Sequence, residues 1–323
     1  MARGKSSKRT MEDYLNSKEQ AQVEQSHESD KTSEALMHSS DEDEQSITST
    51  KKGRGPACPI RIWGSRNRLK LQFNDFMQPI GKTSIKFSTQ LDIMARNGSL
   101  VPLTYESWND VPEENKNAIW HEVQDNTDSP LEFRKNCLEK VANTWRSWKH
   151  TLKVHYEKHK DDEDILTRVP DKRVQDEQWS ILVRYWNEVE VKRIAKTNAE
   201  NRKQKTICHR TGCKSFANVR HKRENKGLPT DRASVWLTAY YKRAGARSNE
   251  DTKEFALRLQ NELSQIPESE QTAEVREKIF KKVIGDEKRG RVLTYGHGPS
   301  FKDVFGKISN VRQILQYGEH KKR

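Results

Sequence analysis

The sequence predicts a mainly α-helical protein with a tryptophan-anchored three-helix bundle, a C-terminal helical hairpin, a small β-hairpin and a disordered N-terminal tail. The first observation behind this prediction is the helical spacing of apolar residues, six of the 8 Trp among them, between residues 108 and 205. The second is composition, because only 32% of the 323 residues are hydrophobic and the mean hydropathy is −1.07. A chain this polar can bury only small cores, so we expect one or two small domains joined by long polar segments.

Residues 1–50 are predicted to form a disordered acidic tail. They are rich in Ser, Glu, Gln and Asp and carry a net charge of −5, so they have too few apolar groups to offset the entropy lost on ordering. Ser39 and Ser40 directly precede the acidic run 41–44, which suits acidophilic kinases, and both serines are candidate phosphorylation sites. A solvated acidic tail without a regulatory role explains the same pattern.

Residues 51–107 are predicted to hold a basic linker, a small β-hairpin and a short helix. The linker is rich in Lys, Arg, Gly and Pro. Apolar and polar residues alternate in 68–73 and again in 83–87, with turn residues between them, which is typical of a hairpin. Residues 91–94 fit a short helix that ends near Gly98.

Residues 108–205 are predicted to be the helical bundle. The first helix starts near Asp110, the second is amphipathic with apolar residues at steps of three and four, and the third follows Pro170 and continues into a polar, basic run. The apolar faces comprise Ile119, Trp120 and Val123 in the first helix, Leu138, Val141, Trp145, Trp148, Leu152 and Tyr156 in the second, and Trp179, Leu182, Val183 and Trp186 in the third.

The C-terminal third is predicted to be a connector followed by a helical hairpin. Residues 206–248 are a basic connector with short helices, one of them capped by Ser215. Residues 249–306 hold two amphipathic helices and a Gly-rich turn, and 307–323 form a basic tail. Because the hairpin is too small for a core of its own, it must dock on the bundle or on a second copy of the chain.

The charge of the chain outside the tail favours a polyanionic partner. Residues 51–323 carry a net charge of +18, and nucleic acid is the usual partner of such a surface because Lys and Arg release condensed counterions from phosphates. A merely soluble basic protein is the alternative. The candidate DNA-binding residues are Arg146, Lys149, Lys153, Arg184, Lys192, Arg193, Lys196, Arg202, Lys203, Lys205, Arg210, Lys214, Arg220, Lys222 and Arg223.

Several other classes are disfavoured by the sequence. No apolar stretch approaches the roughly 18 residues of a membrane span, and the N-terminus lacks the apolar core of a signal peptide. Four cysteines in so long a chain indicate reduced thiols rather than a disulfide scaffold. Adjacent Cys208 and His209 with Cys213 and His221 make a poor tetrahedral set, so we expect no metal and no cofactor.

The ordered motifs of the chain carry two resemblances. Three tryptophan-anchored helices with a basic third helix are similar to Myb/SANT and trihelix DNA-binding domains, although a solvated basic face would give the same pattern. Over residues 53–306 the chain resembles the plant transposases of the Ptta/En/Spm group, which are encoded in or derived from DNA transposons. The motifs of this second resemblance are LVPLTYESWNDVP, NTWRSWKHTLKVHY, TRVPDKRVQDEQWSILVRYW, NAENRKQK with HRTGCKSFANV, and GRVLTYGHGPSFKDVFG.

The resemblance implies a nuclear, transposon-derived protein that acts on transposon DNA. DNA cutting by the RNase H-like route needs three carboxylates on a sheet that holds two metal ions, and the sequence offers no such sheet. The acidic cluster 161–164 is polar and predicted to be a solvated loop. We therefore expect an accessory DNA-binding protein that is not itself catalytic, with a homodimer and a separate transposase as further partners. A protein-interaction adaptor and a transposase with hidden carboxylates are the alternatives.

Overall fold

The computed structural model describes residues 9–26, 58–204, 206–212, 214–241, 250–286 and 292–306, with side chains in the first segment described as far as Gln20. Its architecture is mainly α-helical, as predicted, with one two-stranded antiparallel sheet. The helices are α1 Met11–Ser26, α2 Gly81–Ala95, α3 Glu113–Asn126, α4 Arg134–His159, α5 Asp176–Asn187, α6 Val189–Lys203, α7 Phe216–Glu224, α8 Arg232–Tyr240, α9 Glu250–Ser264 and α10 Ala273–Ile284. The strands are β1 Gln72–Phe73 and β2 Pro79–Ile80. None of the helices in these described ranges is long and apolar enough to cross a membrane.

The N-terminal lobe, formed by α1 to α5, is built on the predicted tryptophan faces. Every apolar residue predicted for α3, α4 and α5 is buried. The 26 residues of α4 make it the long central helix, with α2 and α3 packed along it. The bundle contains more than the three predicted helices, because α1 and α2 pack on the same core.

The N-terminal helix corrects the predicted disorder of residues 1–50. Residues 9–26 are placed, and Met11 and Leu15 are buried against the bundle. Thr10 and Asp13 cap the helix reciprocally, and the ring of Tyr14 meets that of Tyr185 edge-on at 5.5 Å. Met11, Tyr14 and Leu15 therefore suffice to pack α1 against α5. The other residues of the tail, with the candidate phosphorylation sites Ser39 and Ser40, lie outside the described residues.

The predicted β-hairpin is present, but its second strand was misplaced. Phe73 pairs with Pro79 and Gln72 with Ile80, so the hairpin closes before Gly81. Residues 83–87 lie in α2 instead, with Phe87 fully buried. The alternation in that segment was too short to distinguish a strand from the first turns of a helix.

The predicted third helix of the bundle is two helices. Glu188 adopts an extended backbone (φ −60°, ψ 137°) between α5 and α6. The regular apolar pattern ends at Trp186, and beyond it Val191 packs against the core while only partly buried. As a result, α6 leaves the bundle and has no buried residue.

The C-terminal lobe, formed by α7 to α10, has its own core. The predicted helical hairpin is α9 and α10, joined by a turn at 265–272. It docks on α8, where Trp236 and Ala239 are 1% exposed, and not on the apolar face of the bundle. The sequence prediction treated α8 as part of a connector and therefore missed the centre of this lobe.

The two lobes meet through polar contacts of the β-hairpin. The side chain of Gln78 donates to the carbonyl oxygens of Tyr295 and His297, at 2.8 and 2.6 Å. On the other side, Asn218 of α7 accepts a hydrogen bond from the backbone of Gly81 and donates to Ser84. The connection is thus made largely by amide groups, and it fixes α7 and the segment 292–298 beside α2 and α4.

Candidate nucleic-acid interface

The helix α6 is the most exposed basic element among the described residues. Its 15 residues include five Lys or Arg and two Glu. Its main packing contact is with α5, to which Glu188 connects it. Most of its side chains are exposed and remain available to a partner.

Ion pairing leaves most of the α6 cations uncompensated. Arg193 binds Glu190 through two hydrogen bonds of 2.7 and 2.9 Å, and Lys192 donates to the side-chain oxygen of Asn187. Lys196, Arg202 and Lys203 form no ion pair with any described residue and are exposed. Surface pairs such as Arg193–Glu190 are weak, and they exchange readily for a phosphate partner.

The start of α6 lies beside α4, which extends the positive surface. The pKa of Lys153 is lowered, first by partial burial of its ammonium, and the nearby charge of Lys192 adds to this effect. Arg146 and Arg184 are exposed on α4 and α5, as the sequence predicts. Together with α6, these residues form the basic surface, defined here as Arg146, Lys153, Arg184, Lys192, Arg193, Lys196, Arg202 and Lys203.

Lys149 does not belong to this surface. Its ammonium lies 3.9 Å from the centre of the Trp145 ring and donates a 2.7 Å hydrogen bond to the carbonyl oxygen of Tyr105. Burial lowers the pKa of Lys149 to about 7, although the charge of Glu106 acts in the opposite direction. The lysine therefore ties α4 to the loop before α3, and its contacts are internal.

Two of the arginines predicted on α7 are also occupied within the protein. Arg220 lies 3.9 Å over the ring of Tyr295 and donates to the carbonyl oxygen of Thr230. Arg223 donates to the carbonyl oxygen of Pro229 at 2.7 Å and to the Thr238 hydroxyl at 2.6 Å. These arginines hold α7 to the segment before α8. We leave both out of the basic surface because their guanidinium groups already bind acceptors within the protein.

The remaining candidates are distributed over the C-terminal lobe. Arg210 is half-buried, and its backbone donates to Ala239. Lys214 and Lys222 are exposed near the two ends of α7. Lys205 lies outside the described residues, as does Cys213.

A cleft between the lobes brings together two motifs that are about 80 residues apart in sequence. The segment 209–219 supplies one wall, with Ser215 capping α7 through a hydrogen bond from the backbone of Asn218. The segment 292–297 supplies another, and the cavity has a volume of about 1010 Å³. The lining also includes Lys140 of α4, which the sequence prediction missed because Lys140 lies outside both motifs.

The carboxylates of the described residues form no cluster suited to a metal ion. No group of three His, Cys, Asp or Glu residues in these ranges is arranged to bind a metal. The acidic cluster 161–164 lies in the turn between α4 and α5, where Asp162 pairs with His159 at 3.1 Å and with Arg168 at 3.9 Å. It is a surface turn, as predicted.

Comparison with known families finds a match over part of the chain. Residues 175–301 match the model of a family described as plant transposase (Ptta/En/Spm family). This match confirms the predicted resemblance to plant En/Spm-type transposases over the part of the chain from α5 to the Gly-rich segment. The first two motifs of the resemblance lie before the matched residues. No curated protein and no solved structure shows a significant match to the chain.

Proposed function

We propose that this is a transposon-derived protein that binds DNA in the nucleus through the basic surface. The observation that carries the proposal is α6, a 15-residue helix with five Lys or Arg and no buried residue. A folded protein has no structural need for such a helix, whereas a phosphate backbone would compensate its charge. The match to a plant transposase family supports a role on transposon DNA.

The chemistry of the basic surface favours contacts to phosphates. Lys and Arg side chains neutralise phosphates and release counterions, which supplies most of the sequence-independent affinity for DNA. The charge of Lys192 on α6 acts on Lys153 of α4, so cations of two helices are close enough to contact neighbouring phosphates. The nuclear localisation is proposed because transposon DNA lies in the nucleus, and any strand cutting would be done by a separate transposase.

The test is a salt titration of DNA binding by the full chain. In the variant Lys192→Gln/Arg193→Gln/Lys196→Gln, affinity for duplex DNA should fall. The slope of log K against log salt should decrease by about 0.9 for each phosphate that the variant no longer neutralises. Gln keeps the helix propensity of the replaced residues.

A matched control removes three exposed lysines that lie off the basic surface. The variant Lys82→Gln/Lys135→Gln/Lys172→Gln loses the same charge, so it should retain most of the slope if the contacts are local. If both variants lose the same amount of affinity and slope, binding depends on net charge and not on the position of the cations. An unchanged affinity in a folded α6 variant would remove α6 from the interface.

A protein partner is the second candidate, and two apolar side chains on α6 favour it. Val189 is 83% exposed and Ile194 is 47% exposed. A second copy of the chain could cover them, because symmetric dimers are the commonest oligomers. Light scattering of the full chain without DNA, at several micromolar concentrations, decides this point: a monomer throughout argues against the homodimer.

A further inference from the structure

The cleft between the lobes has the size of a site for a small ligand. Its volume of about 1010 Å³ is at the upper end of the range for such sites. Neither lobe forms it alone, since α2 and α4 supply one side and α7 with the segment 292–297 supplies the other. The hydrogen bonds of Asn218 and Gln78 keep these sides in register.

The walls of the cleft offer flat and apolar surfaces. Ile85 of α2 lines the cavity and is 45% exposed, a large value for an isoleucine in a concave wall. Phe216 and Tyr295 line the cavity as well, and each is partly exposed. Arg220 covers one face of the Tyr295 ring, so an aromatic base would stack on Phe216 and cover the isoleucine. Base stacking on aromatic side chains is tolerant of sequence.

The polar groups of the cleft suit a phosphate and a base edge. Lys140 and Lys214 line it, and Asp286 is the one carboxylate among its described lining residues. Lys214 forms no ion pair with a described residue, whereas Lys140 pairs with Asp92 at 2.9 Å. The hydroxyl of Ser88 also lines the cavity and makes no hydrogen bond within the described ranges, so it can serve a ligand.

We infer that the cleft binds one unpaired nucleotide, with its base against Ile85 and Phe216 and its phosphate near Lys214. The inference rests on the proposed function in one respect, namely that the nucleotide belongs to DNA bound on the basic surface. A base outside a duplex exposes its ring faces and its pairing edge, which are the groups that an apolar wall with a free hydroxyl can bind. A paired base exposes neither ring face and does not fit.

The experiment compares two DNA duplexes of the same sequence. One is fully paired, and the other carries a single unpaired 2-aminopurine, whose fluorescence falls when the base stacks. The wild-type chain should bind the second duplex about tenfold more tightly and quench its fluorescence, because one base gains a stacking partner. Equal affinity with no quenching would overturn the inference.

Two variants locate the effect in the cleft. Ile85→Glu places a charge on the apolar wall and Lys214→Gln removes the phosphate partner; both residues are exposed, so the fold should persist. Each should bring the affinity ratio towards one, whereas a loss of positive charge alone should weaken both duplexes equally and keep the ratio. The matched control is Leu131→Glu, since Leu131 is 69% exposed and lies outside the cleft. It should keep the tenfold ratio, and a loss of the ratio in this control would overturn the assignment to the cleft.

Failure of the proposed function is distinguishable from failure of the inference. The triple Gln variant of α6 should weaken binding of both duplexes and preserve their ratio. If the wild-type chain binds neither duplex, titration with free dAMP decides. If the wild-type chain binds dAMP and Ile85→Glu does not, the result would support the cleft as a nucleotide site. If the wild-type chain does not bind dAMP, the inference would be overturned.

Discussion

The two lobes of this protein bury their polar and apolar groups in different proportions. Seven of the 8 Trp pack in or against the core of the N-terminal lobe, while Trp236 alone serves the C-terminal lobe. The C-terminal lobe instead buries a guanidinium: Arg232 is 4% exposed, pairs with Glu277 at 2.7 Å and lies 4.3 Å over the ring of Phe280. A guanidinium is thus part of the core in the C-terminal lobe, whereas in the N-terminal lobe Arg96 and Arg173 lie partly exposed over the ring of Trp148.

This difference teaches that the positive charge of the chain has two separate uses. The arginines of the C-terminal lobe, Arg220, Arg223 and Arg232, satisfy carbonyl groups and cover aromatic rings. On α6, Lys196 and Arg202 make no such contact with described residues. Lys and Arg content alone therefore overstates the extent of the basic surface, and burial decides which cations remain available.

The largest expected effect comes from removing a buried ring in either lobe. Trp145 and Trp236 are each 1% exposed, so Trp145→Ala and Trp236→Ala should each lower the free energy of unfolding by about 3–5 kcal/mol. Urea unfolding followed by circular dichroism measures the loss, and amide exchange locates it. If the lobes are separate cores, protection should fall first in the lobe that carries the change. Equal loss in both lobes would contradict that comparison.

A smaller effect is expected from the buried arginine. Arg232→Met keeps the apolar stem but leaves Glu277 without its partner, and it should destabilise the protein by roughly 2–3 kcal/mol because Glu277 keeps some access to water. Arg232→Lys should recover little, since an ammonium cannot reproduce the planar fork. Arg258→Met, at an exposed position of α9, is the control for the change in charge. If Arg232→Met leaves the free energy of unfolding unchanged, apolar contacts alone stabilise the C-terminal core.

The burial of Lys149 in the N-terminal lobe predicts that stability depends on pH. Burial lowers the pKa of Lys149 to about 7 in the folded chain, against 10.5 as its usual value. Between pH 7 and 8.5 the unfolded chain therefore holds this proton more tightly, and the free energy of unfolding should rise with pH by at most about 1.4 kcal/mol per unit. Urea unfolding at several pH values, compared with Lys149→Met, checks this.

The test is confined to pH values below 8.5 because Cys137 acts in the opposite direction. Burial raises the pKa of its thiol to about 12, so above its usual value of 9.0 the unfolded chain loses the thiol proton first. In Lys149→Met the rise between pH 7 and 8.5 should disappear. A rise of the same size in that variant would assign it to another group.

The smallest effect is expected at the contact between the lobes. Asn218→Ala removes hydrogen bonds to Gly81 and Ser84 and should cost about 1 kcal/mol. Its signature is a loss of cooperativity, because the lobes should begin to unfold at different urea concentrations. Asn225→Ala, at an exposed position after α7, is the control. An unchanged, single transition in Asn218→Ala would mean that other contacts suffice to couple the lobes.

The sequence predicts the N-terminal lobe better than the C-terminal lobe for a physical reason. A 26-residue helix such as α4 repeats its apolar step many times, so Trp145 and Trp148 could be assigned to the core from spacing alone. The nine residues of α8 are too few for such a repeat, and the charge of Arg232 hides its burial. The cleft could not be predicted either, because it depends on Asn218 and Gln78 meeting residues far away in the chain.

The break at Glu188 bears on where a fragment containing the matched residues 175–301 should begin. The matched residues 175–301 begin within one residue of α5, whose apolar face is buried against helices that precede the match. A fragment that starts at residue 175 would carry Trp179 and Trp186 without their neighbours, and it would expose a hydrophobic strip to solvent. A fragment that starts at Val189 would not contain α5, and therefore would not expose its apolar face. The cut would fall at the bend where the extended backbone of Glu188 separates α5 from α6. The matched region therefore begins one helix before the bend that separates α5 from α6.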